Sequence, residues 1–296
     1  INPISVVSAK ANYILIMFSA FFDNCNEEFG DPIGIPVFIA DSILAPVVYT
    51  EENDDTLKLE TTVGEIEIPK FDSFSKGNEF LKLLSQSIDD WGSYEIFESL
   101  ALGKGLITES DIHVVKTLFS KLSVLHRASK DSFWPIIFRN SFAPVMIRDK
   151  FDFVVGNPPW IAWKAMSKSY RAGTLTIWQS YGIFEKNAYD KKTTHDDFGM
   201  AVTYVSVDQY LKIGGSMVFL LPASFLKSTK GGEGFRKFEI IRNNQSVPFS
   251  VEEVHDFSGV SLFTIPTVAI KFGKGTVMQY PMKNYRFYSQ KGRKSK

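Results

Sequence analysis

The feature that most constrains this 296-residue chain is an apolar run that two consecutive prolines bring to a sudden end. Residues 151–156, with the sequence FDFVVG, combine β-branched and aromatic side chains and so predict a strand buried in a sheet. Pro158 and Pro159 cannot continue a central strand, because proline has no backbone N–H for the hydrogen-bonded ladder. The chain must therefore turn here, and the turn carries an amide, Asn157, and an indole, Trp160.

Around this strand, helix-like and strand-like segments alternate along the chain. Apolar runs predict further strands at residues 37–40, 217–221, 251–254 and 268–272. Helical periodicity predicts helices at residues 3–22, 112–122, 197–212 and 235–242, the first of them buried. The expected helix caps are Asn2, Ser110 and either Asp196 or Asp197, and the expected stop of the third helix is Gly214-Gly215. This alternation predicts an α/β fold with a mostly parallel sheet.

The stretch from about residue 45 to about residue 148 has a different character. Its first part, to residue 70, is rich in acidic residues and predicts exposed loops and edge strands. The part from residue 71 to residue 150 has helical patterning. We therefore predict that residues 45–148 form an insertion, largely helical, between two strands of the core.

The composition excludes several classes of protein. Lys plus Arg and Asp plus Glu each total 33, which excludes a globally basic nucleic-acid coat but not local basic patches. The single cysteine, Cys25, excludes a disulfide framework, and the four histidines lack metal-ligand spacing, so we predict no metal site. No apolar run reaches the roughly 20 residues of a membrane span, and no signal peptide is visible. We expect a cytoplasmic protein that does not bind membranes.

The residues of the turn suit the activation of an amino group attached to an aromatic ring. Such a nitrogen is a poor nucleophile, because its lone pair is delocalised into the ring. The side-chain oxygen of Asn157 and the carbonyl of Pro158 can each accept a hydrogen bond from the amino group, which frees the lone pair for attack. The prolines fix φ and hold that carbonyl in place before the substrate arrives. Trp160 offers a face on which an extruded base can stack, a contact worth roughly 1–3 kcal/mol in nucleic-acid-binding proteins.

The sequence FDFVVGNPPW at residues 151–160 resembles the catalytic motif of the amino-methyltransferases that act on adenine in DNA. Further segments that resemble this family follow in the expected order: Asn2-Pro3 with the apolar helix, residues 37–42, Asp197-Phe198, residues 214–222 and residues 266–270. The sequences WIAW at 160–163 and KGGEGFR at 230–236, with Tyr280-Pro281, are similar to the large N6-adenine methylases of restriction–modification (type IIG-like) and phage-defence systems.

This resemblance implies a Rossmann-like methyltransferase fold that uses S-adenosylmethionine and methylates adenine N6 in double-stranded DNA. It makes Asn157 and Pro158, held by Pro159, the hydrogen-bond acceptors for the amino group. It places the flipped base between Trp160 and Phe263, because chemistry on a base requires taking the base out of the stack.

The resemblance also implies where the methyl donor binds. Asp41, at the end of a predicted strand, becomes the residue that contacts the adenine of the cofactor, next to Ser42, and Asn2 lies in the segment after the acid that binds the ribose. The glycine-rich turn and the first strand of the family are not seen in the sequence. The resemblance therefore implies an N-terminally truncated catalytic domain at residues 1–275, with residues 276–296 as a linker or the start of a target-recognition region. A missing N-terminal segment or subunit and a target-recognition domain are then expected partners.

Plainer interpretations stand beside these assignments. Asn157–Trp160 could be an ordinary turn, Asp41 a helix or turn cap, and Phe263 part of the core, while Trp163 is better explained by packing. Lys230, Arg236 and Lys237 beside the glycine-rich loop predict contacts with a DNA phosphate, but a solvated basic face explains them almost as well. At the level of the whole chain, the alternatives are a methyltransferase for an RNA base or a protein glutamine, and a non-catalytic fragment or split subunit that needs a partner to bind the cofactor.

Overall fold

The computed structural model describes residues 3–24, 35, 37–38, 43, 56–61, 64–90, 92–127, 143–144, 147–184, 196–227, 232–242, 245–260 and 263–290. The chain divides into two compact units, Ile1–Met146 and Ile147–Lys296. Among the described residues, no helix is long and apolar enough to cross a membrane. The same residues contain no group of three His, Cys, Asp or Glu side chains that could hold a metal ion.

The described part of the first unit includes a β-hairpin and helices α1 to α4. Helix α1 spans Pro3–Asn24, strands β1 and β2 span Thr56–Thr61 and Gly64–Pro69, and helices α2, α3 and α4 span Phe74–Asp90, Tyr94–Gly103 and Ile112–Arg127. The predicted apolar stripe of α4 is confirmed at Val115, Leu118, Phe119 and Leu122, which are all buried in one cluster with the hairpin, α2 and α3. A short 3-10 turn, Glu109–Asp111, leads into α4, and its cap is Thr108 rather than the predicted Ser110.

Helix α1 forms where the sequence predicts it, but it is not buried. Leu15 and Ile16 are 72% and 74% exposed, and Ile4 is 71% exposed. Apolar periodicity identifies which residues share a face, and it carries no information about what covers that face. The assignment of residues 45–148 as an insertion stays a prediction.

The second unit is built on one six-stranded sheet. Strands β3 to β8 span Phe151–Gly156, Leu211–Pro222, Glu239–Arg242, Gln245–Gly259, Thr267–Lys274 and Tyr285–Ser289. The strand order is β3-β4-β7-β6-β5, and β8 pairs with the second half of β6. The described helices of this unit are α5 at Lys168–Ser180, α6 at Phe198–Gln209 and the four-residue α7 at Ser224–Lys227.

The sheet is of mixed orientation, so the chain has the predicted α/β class, but the described strands are not mostly parallel. β3 pairs with β4, and β8 with β6, in parallel, whereas the β4–β7, β6–β7 and β5–β6 pairs are antiparallel. For the consecutive pairs β5–β6 and β6–β7, the cause is the length of the connection. Only residues 260–266 join β6 to β7, and a parallel pairing needs a crossover of about a dozen residues or more.

Two predicted helices end differently in the structure. Helix α6 stops at Gln209, and Gly214-Gly215 lies inside β4, where the β3–β4 register shifts between Phe151 and Phe153. This glycine pair therefore lies where the pairing of β3 with β4 is irregular. The predicted helix 235–242 is a 3-10 turn, Phe235–Lys237, followed by strand β5, because Phe238 is left-handed with φ 51° and ends the turn.

Candidate active site

The predicted turn lies at the carboxyl end of β3, beside the parallel strand β4. The last pair of the β3–β4 ladder joins Gly156 to Phe219. A Cβ atom at Gly156 would lie 2.8 Å from the ring of Phe219, so only glycine allows the chain to leave the strand this close to its neighbour. The carboxyl ends of parallel strands are where ligands bind in open α/β sheets. The turn therefore occupies the edge where that rule places a ligand.

The two predicted acceptors are placed differently with respect to solvent. Asn157 is exposed and Pro158 is buried, with Pro159 exposed after it. The strand itself is less buried than predicted, since Phe153 and Val155 are 77% and 81% exposed. β3 has β4 as its one strand neighbour in the part of the chain that the structure describes.

Trp160 and Phe263 meet at this edge, although 103 positions separate them in the sequence. Their ring centroids are 5.4 Å apart, and the ring planes make an angle of 66°, an edge-to-face contact. The antiparallel pairing of β4 with β7 brings them together, because it places Thr267, at the start of β7, opposite Pro222, at the end of β4. Phe263 is 43% exposed. The contact agrees with the predicted proximity of the two rings, while their role in holding a base stays a prediction.

The beginning of helix α6 is attached to the residues that follow Trp160. Ala162 and Asp197 form an isolated antiparallel bridge. The backbone N–H of Phe198 donates to the carbonyl of Ile161 at 2.8 Å, and that of Trp163 donates to the carbonyl of Asp196 at 2.8 Å. Sequence reasoning predicted the helix cap but not this bridge, because a pairing between distant backbone segments leaves no local signal.

Asp197 is the cap of α6, and its carboxyl is partly buried at this bridge. Its side chain accepts a hydrogen bond from the backbone N–H of Gly199 at 2.9 Å. Burial raises the pKa of the Asp197 carboxyl to about 6, against a smaller lowering by the backbone N–H groups of Gly199 and Ile161. The carboxyl therefore titrates closer to neutral pH than an ordinary aspartate does.

The basic residues beside the glycine-rich loop contact the protein itself. The Arg236 guanidinium donates to the carbonyl of Phe225 at 3.2 Å, and the Lys237 ammonium donates to the carbonyl of Gly182 at 3.4 Å. The N–H of Gly232 donates to the buried carboxylate of Asp196 at 2.5 Å. The 3-10 turn that starts here has three residues, too few for the phosphate-binding helix start that the sequence predicts.

Several predicted site residues lie outside the described part of the chain. They are the three cofactor residues, Asn2, Asp41 and Ser42, and the basic residue Lys230. Trp163, by contrast, is described, and the packing interpretation is confirmed. It is 3% exposed and packs edge-to-face on Trp178 and Phe184, with centroids 5.2 and 5.0 Å away.

Comparison with known proteins finds similarity to two type II methyltransferases. The chain is 29% identical over 143 residues to the type II methyltransferase M.HincII of Haemophilus influenzae, and equally to M.HindII of Haemophilus influenzae strain Rd. These matches cover 48% of this chain but only 26% and 25% of the two relatives. The ATP-dependent Type ISP restriction-modification enzyme LlaBIII bound to DNA gives a structural match with a TM-score of 0.33 and 13% identity, covering 93% of this chain and 22% of that one.

The family model for the Eco57I restriction-modification methylase matches residues 80–263, which is more than half of the chain. The matched segment contains the proline turn and its neighbours on β4 and α6, and it ends at Phe263. The chain belongs to the Eco57I restriction-modification methylase family.

Proposed function

We propose that this chain forms the substrate side of a DNA methyltransferase that transfers a methyl group from S-adenosylmethionine to adenine N6 in double-stranded DNA. The enzyme would serve a restriction–modification or phage-defence system. One observation carries the proposal: an exposed amide and a proline-locked carbonyl lie at a sheet edge beside two aromatic rings, in a member of a methylase family.

Two residues of the turn each accept one hydrogen bond from the amino group of the adenine in this proposal. Asn157 accepts one N–H of the amino group through its side-chain oxygen, and Pro158 accepts the other through its backbone carbonyl. Within the described residues no hydrogen bond occupies the Asn157 amide, so its acceptor oxygen is available. Because the two prolines fix the turn beforehand, little reorganisation accompanies the reaction. Rate would come mainly from positioning the nitrogen in line with the methyl group.

The methyl donor is proposed on the sequence resemblance. S-adenosylmethionine, when bound, supplies a methyl group on a sulfonium, and its loss needs no metal or redox partner. The residues that would hold its adenosine part are Asp41 and Ser42, in the segment that follows Asn2 and helix α1. In the same proposal, residues 1–275 are catalytic and residues 276–296 lead toward a target-recognition region.

The basic residues beside the glycine-rich loop are proposed to contact the DNA backbone. Arg236 and Lys237 lie beside the glycine-rich loop, and each donates a hydrogen bond to a backbone carbonyl. The Lys237 ammonium has three donors and can bond a phosphate oxygen as well as the Gly182 carbonyl. The Arg236 guanidinium is a planar fork of donors, a shape that suits a phosphate. Lys230 is proposed as their partner from the sequence.

The proposal is tested by expressing the complete gene product in a bacterial strain that lacks its own DNA methylases. Genomic DNA is digested to nucleosides and analysed by mass spectrometry, with an empty-vector strain as the control. We expect N6-methyladenine only in the strain that expresses the protein. Methylation found only on RNA or on protein glutamine would contradict the DNA assignment, and no methyl transfer to any of the three would favour a non-catalytic subunit.

A further inference from the structure

The indole N–H of Trp160 donates to the backbone carbonyl of Leu220 at 3.1 Å, in a partly buried position. Leu220 is the residue of β4 that follows Phe219, and Phe219 belongs to the last pair of the β3–β4 ladder. The prolines end β3 at this point and bring no N–H of their own. The Trp160 side chain therefore supplies a donor to β4 one residue beyond the last pair of the β3–β4 ladder.

Phe263 meets Trp160 at a separation that leaves no space for a base between the two rings. A base stacked on both faces needs about 3.5–4 Å on each side, hence parallel rings about 7–8 Å apart. The observed centroids are 5.4 Å apart and the rings are edge-to-face. At least one ring must move before an adenine can be held between them.

We propose that Trp160 is the fixed wall of the base site, held by the Leu220 carbonyl, and that Phe263 is the wall that moves aside. This inference rests on the proposed function, because it assumes that a base enters here. Trp160 is joined to β4 by a hydrogen bond, whereas Phe263 has no hydrogen-bonding group in its side chain and is 43% exposed. The indole nitrogen thus orients the ring face toward the base, and Trp160 acts as a positioning residue through its N–H as well as through its ring.

The anchor is tested without any DNA by hydrogen exchange of indole groups in ¹⁵N-labelled protein. The Trp160 signal is assigned by its loss in Trp160→Phe. We expect the Trp160 indole proton to exchange at least about tenfold more slowly than that of free tryptophan, because the hydrogen bond must open first. Exchange at the rate of free tryptophan would overturn the anchor, whatever the protein does to DNA.

The functional consequence is tested by replacing Trp160 with 3-benzothienylalanine, which keeps the bicyclic ring but has sulfur in place of the N–H. Methylation by the complete gene product is expected to lose about 3- to 10-fold in kcat/KM, the range for one neutral hydrogen bond. The matched control is the same replacement at Trp178, a buried indole whose N–H has no partner among the described residues. That control should keep kcat/KM within about twofold. Equal activity of the two variants would overturn the positioning role.

The moving wall is tested in a complex with DNA whose target adenine is flipped. A crystal structure should show the Trp160 nitrogen still within hydrogen-bonding distance of the Leu220 carbonyl and the Phe263 ring displaced. A complex in which Phe263 keeps its place and Trp160 has left Leu220 would overturn the assignment of the two walls. A wild-type protein that methylates no DNA would instead contradict the proposed function, while the exchange experiment still decides the anchor.

Discussion

At the scale of single residues, Gly156 is expected to be the most sensitive position in the turn. Gly156→Ala places a Cβ 2.8 Å from the Phe219 ring, and Phe219 is only 4% exposed, so the ring has little room to move. We expect a loss of about 1–3 kcal/mol in the free energy of unfolding, measured by urea denaturation. In the double variant Gly156→Ala/Phe219→Leu the smaller side chain leaves room for the Cβ, so Gly156→Ala should lower the free energy of unfolding by less than it does in the wild-type background. Strictly additive effects of the two substitutions would contradict the proposed clash.

A second prediction at this scale concerns Asp197, whose raised pKa makes the stability of the protein depend on pH. The protonated carboxyl is favoured in the folded chain, so folding takes up a proton between the unfolded pKa, about 4, and the folded pKa, about 6. Stability should therefore fall as the pH rises from about 4 to about 6 and then change no further from this cause. Asp197→Asn keeps an acceptor for the Gly199 N–H and has no charge to titrate.

We expect Asp197→Asn to reduce this fall by on the order of 1 kcal/mol, once solvent screening of a partly exposed group is taken into account. Urea unfolding at pH 4.5 and pH 7 measures the difference, and Asp72→Asn, at an exposed side chain, controls for the change in net charge. A pH dependence in Asp197→Asn equal to that of the wild type would show that another group is responsible.

At the scale of elements, the residue that caps the start of helix α4 differs between the sequence-based prediction, Ser110, and the structure, Thr108. Thr108 forms a capping box with Asp111, in which each side chain bonds to the backbone of the other residue. Ser110 contacts only the Thr108 hydroxyl among the hydrogen bonds described for its side chain. We expect Thr108→Ala to cost about 1 kcal/mol in unfolding free energy and Ser110→Ala a few tenths. A larger cost for Ser110→Ala would favour the sequence-based cap.

Elements are predictable from sequence where the residue itself imposes the geometry. The prolines fix the end of β3, and Asp197 was one of two expected caps of α6, because both effects act within a few residues. Strand β5 was missed because its formation depends on pairing with residues 245–248 and not on its own pattern. The role of Gly214-Gly215 was misassigned for the same reason, since a register shift depends on the pairing with the neighbouring strand.

In the candidate site, too, only the local features could be predicted from the sequence. Asn157, Pro158 and Trp160 were found because one motif contains them all. The bridge from Ala162 to Asp197 and the Trp160–Leu220 hydrogen bond join segments that are 35 and 60 positions apart. Neither contact could be deduced from spacing, because both depend on which strands become neighbours in the sheet.

At the scale of the whole molecule, the first unit contains a buried core that is formed by one short continuous segment of the sequence. The buried cluster of the hairpin and helices α2 to α4 takes all its members from residues 57–122, among them Phe80, Phe97 and Phe119. We expect a fragment of residues 56–127 to unfold cooperatively in urea with helical circular dichroism. A fragment that is unfolded in buffer would show that this core needs the rest of the chain.

The most direct test of the proposed function is Asn157→Ala in the complete gene product, assayed by mass spectrometry for N6-methyladenine in substrate DNA. Loss of one acceptor that acts in the transition state should lower the rate by about 10²- to 10³-fold. Asn157→Asp, which keeps two acceptor oxygens at this exposed position, should retain more activity than Asn157→Ala. A near-normal rate of adenine methylation by Asn157→Ala would contradict the role of this turn in activating the amino group.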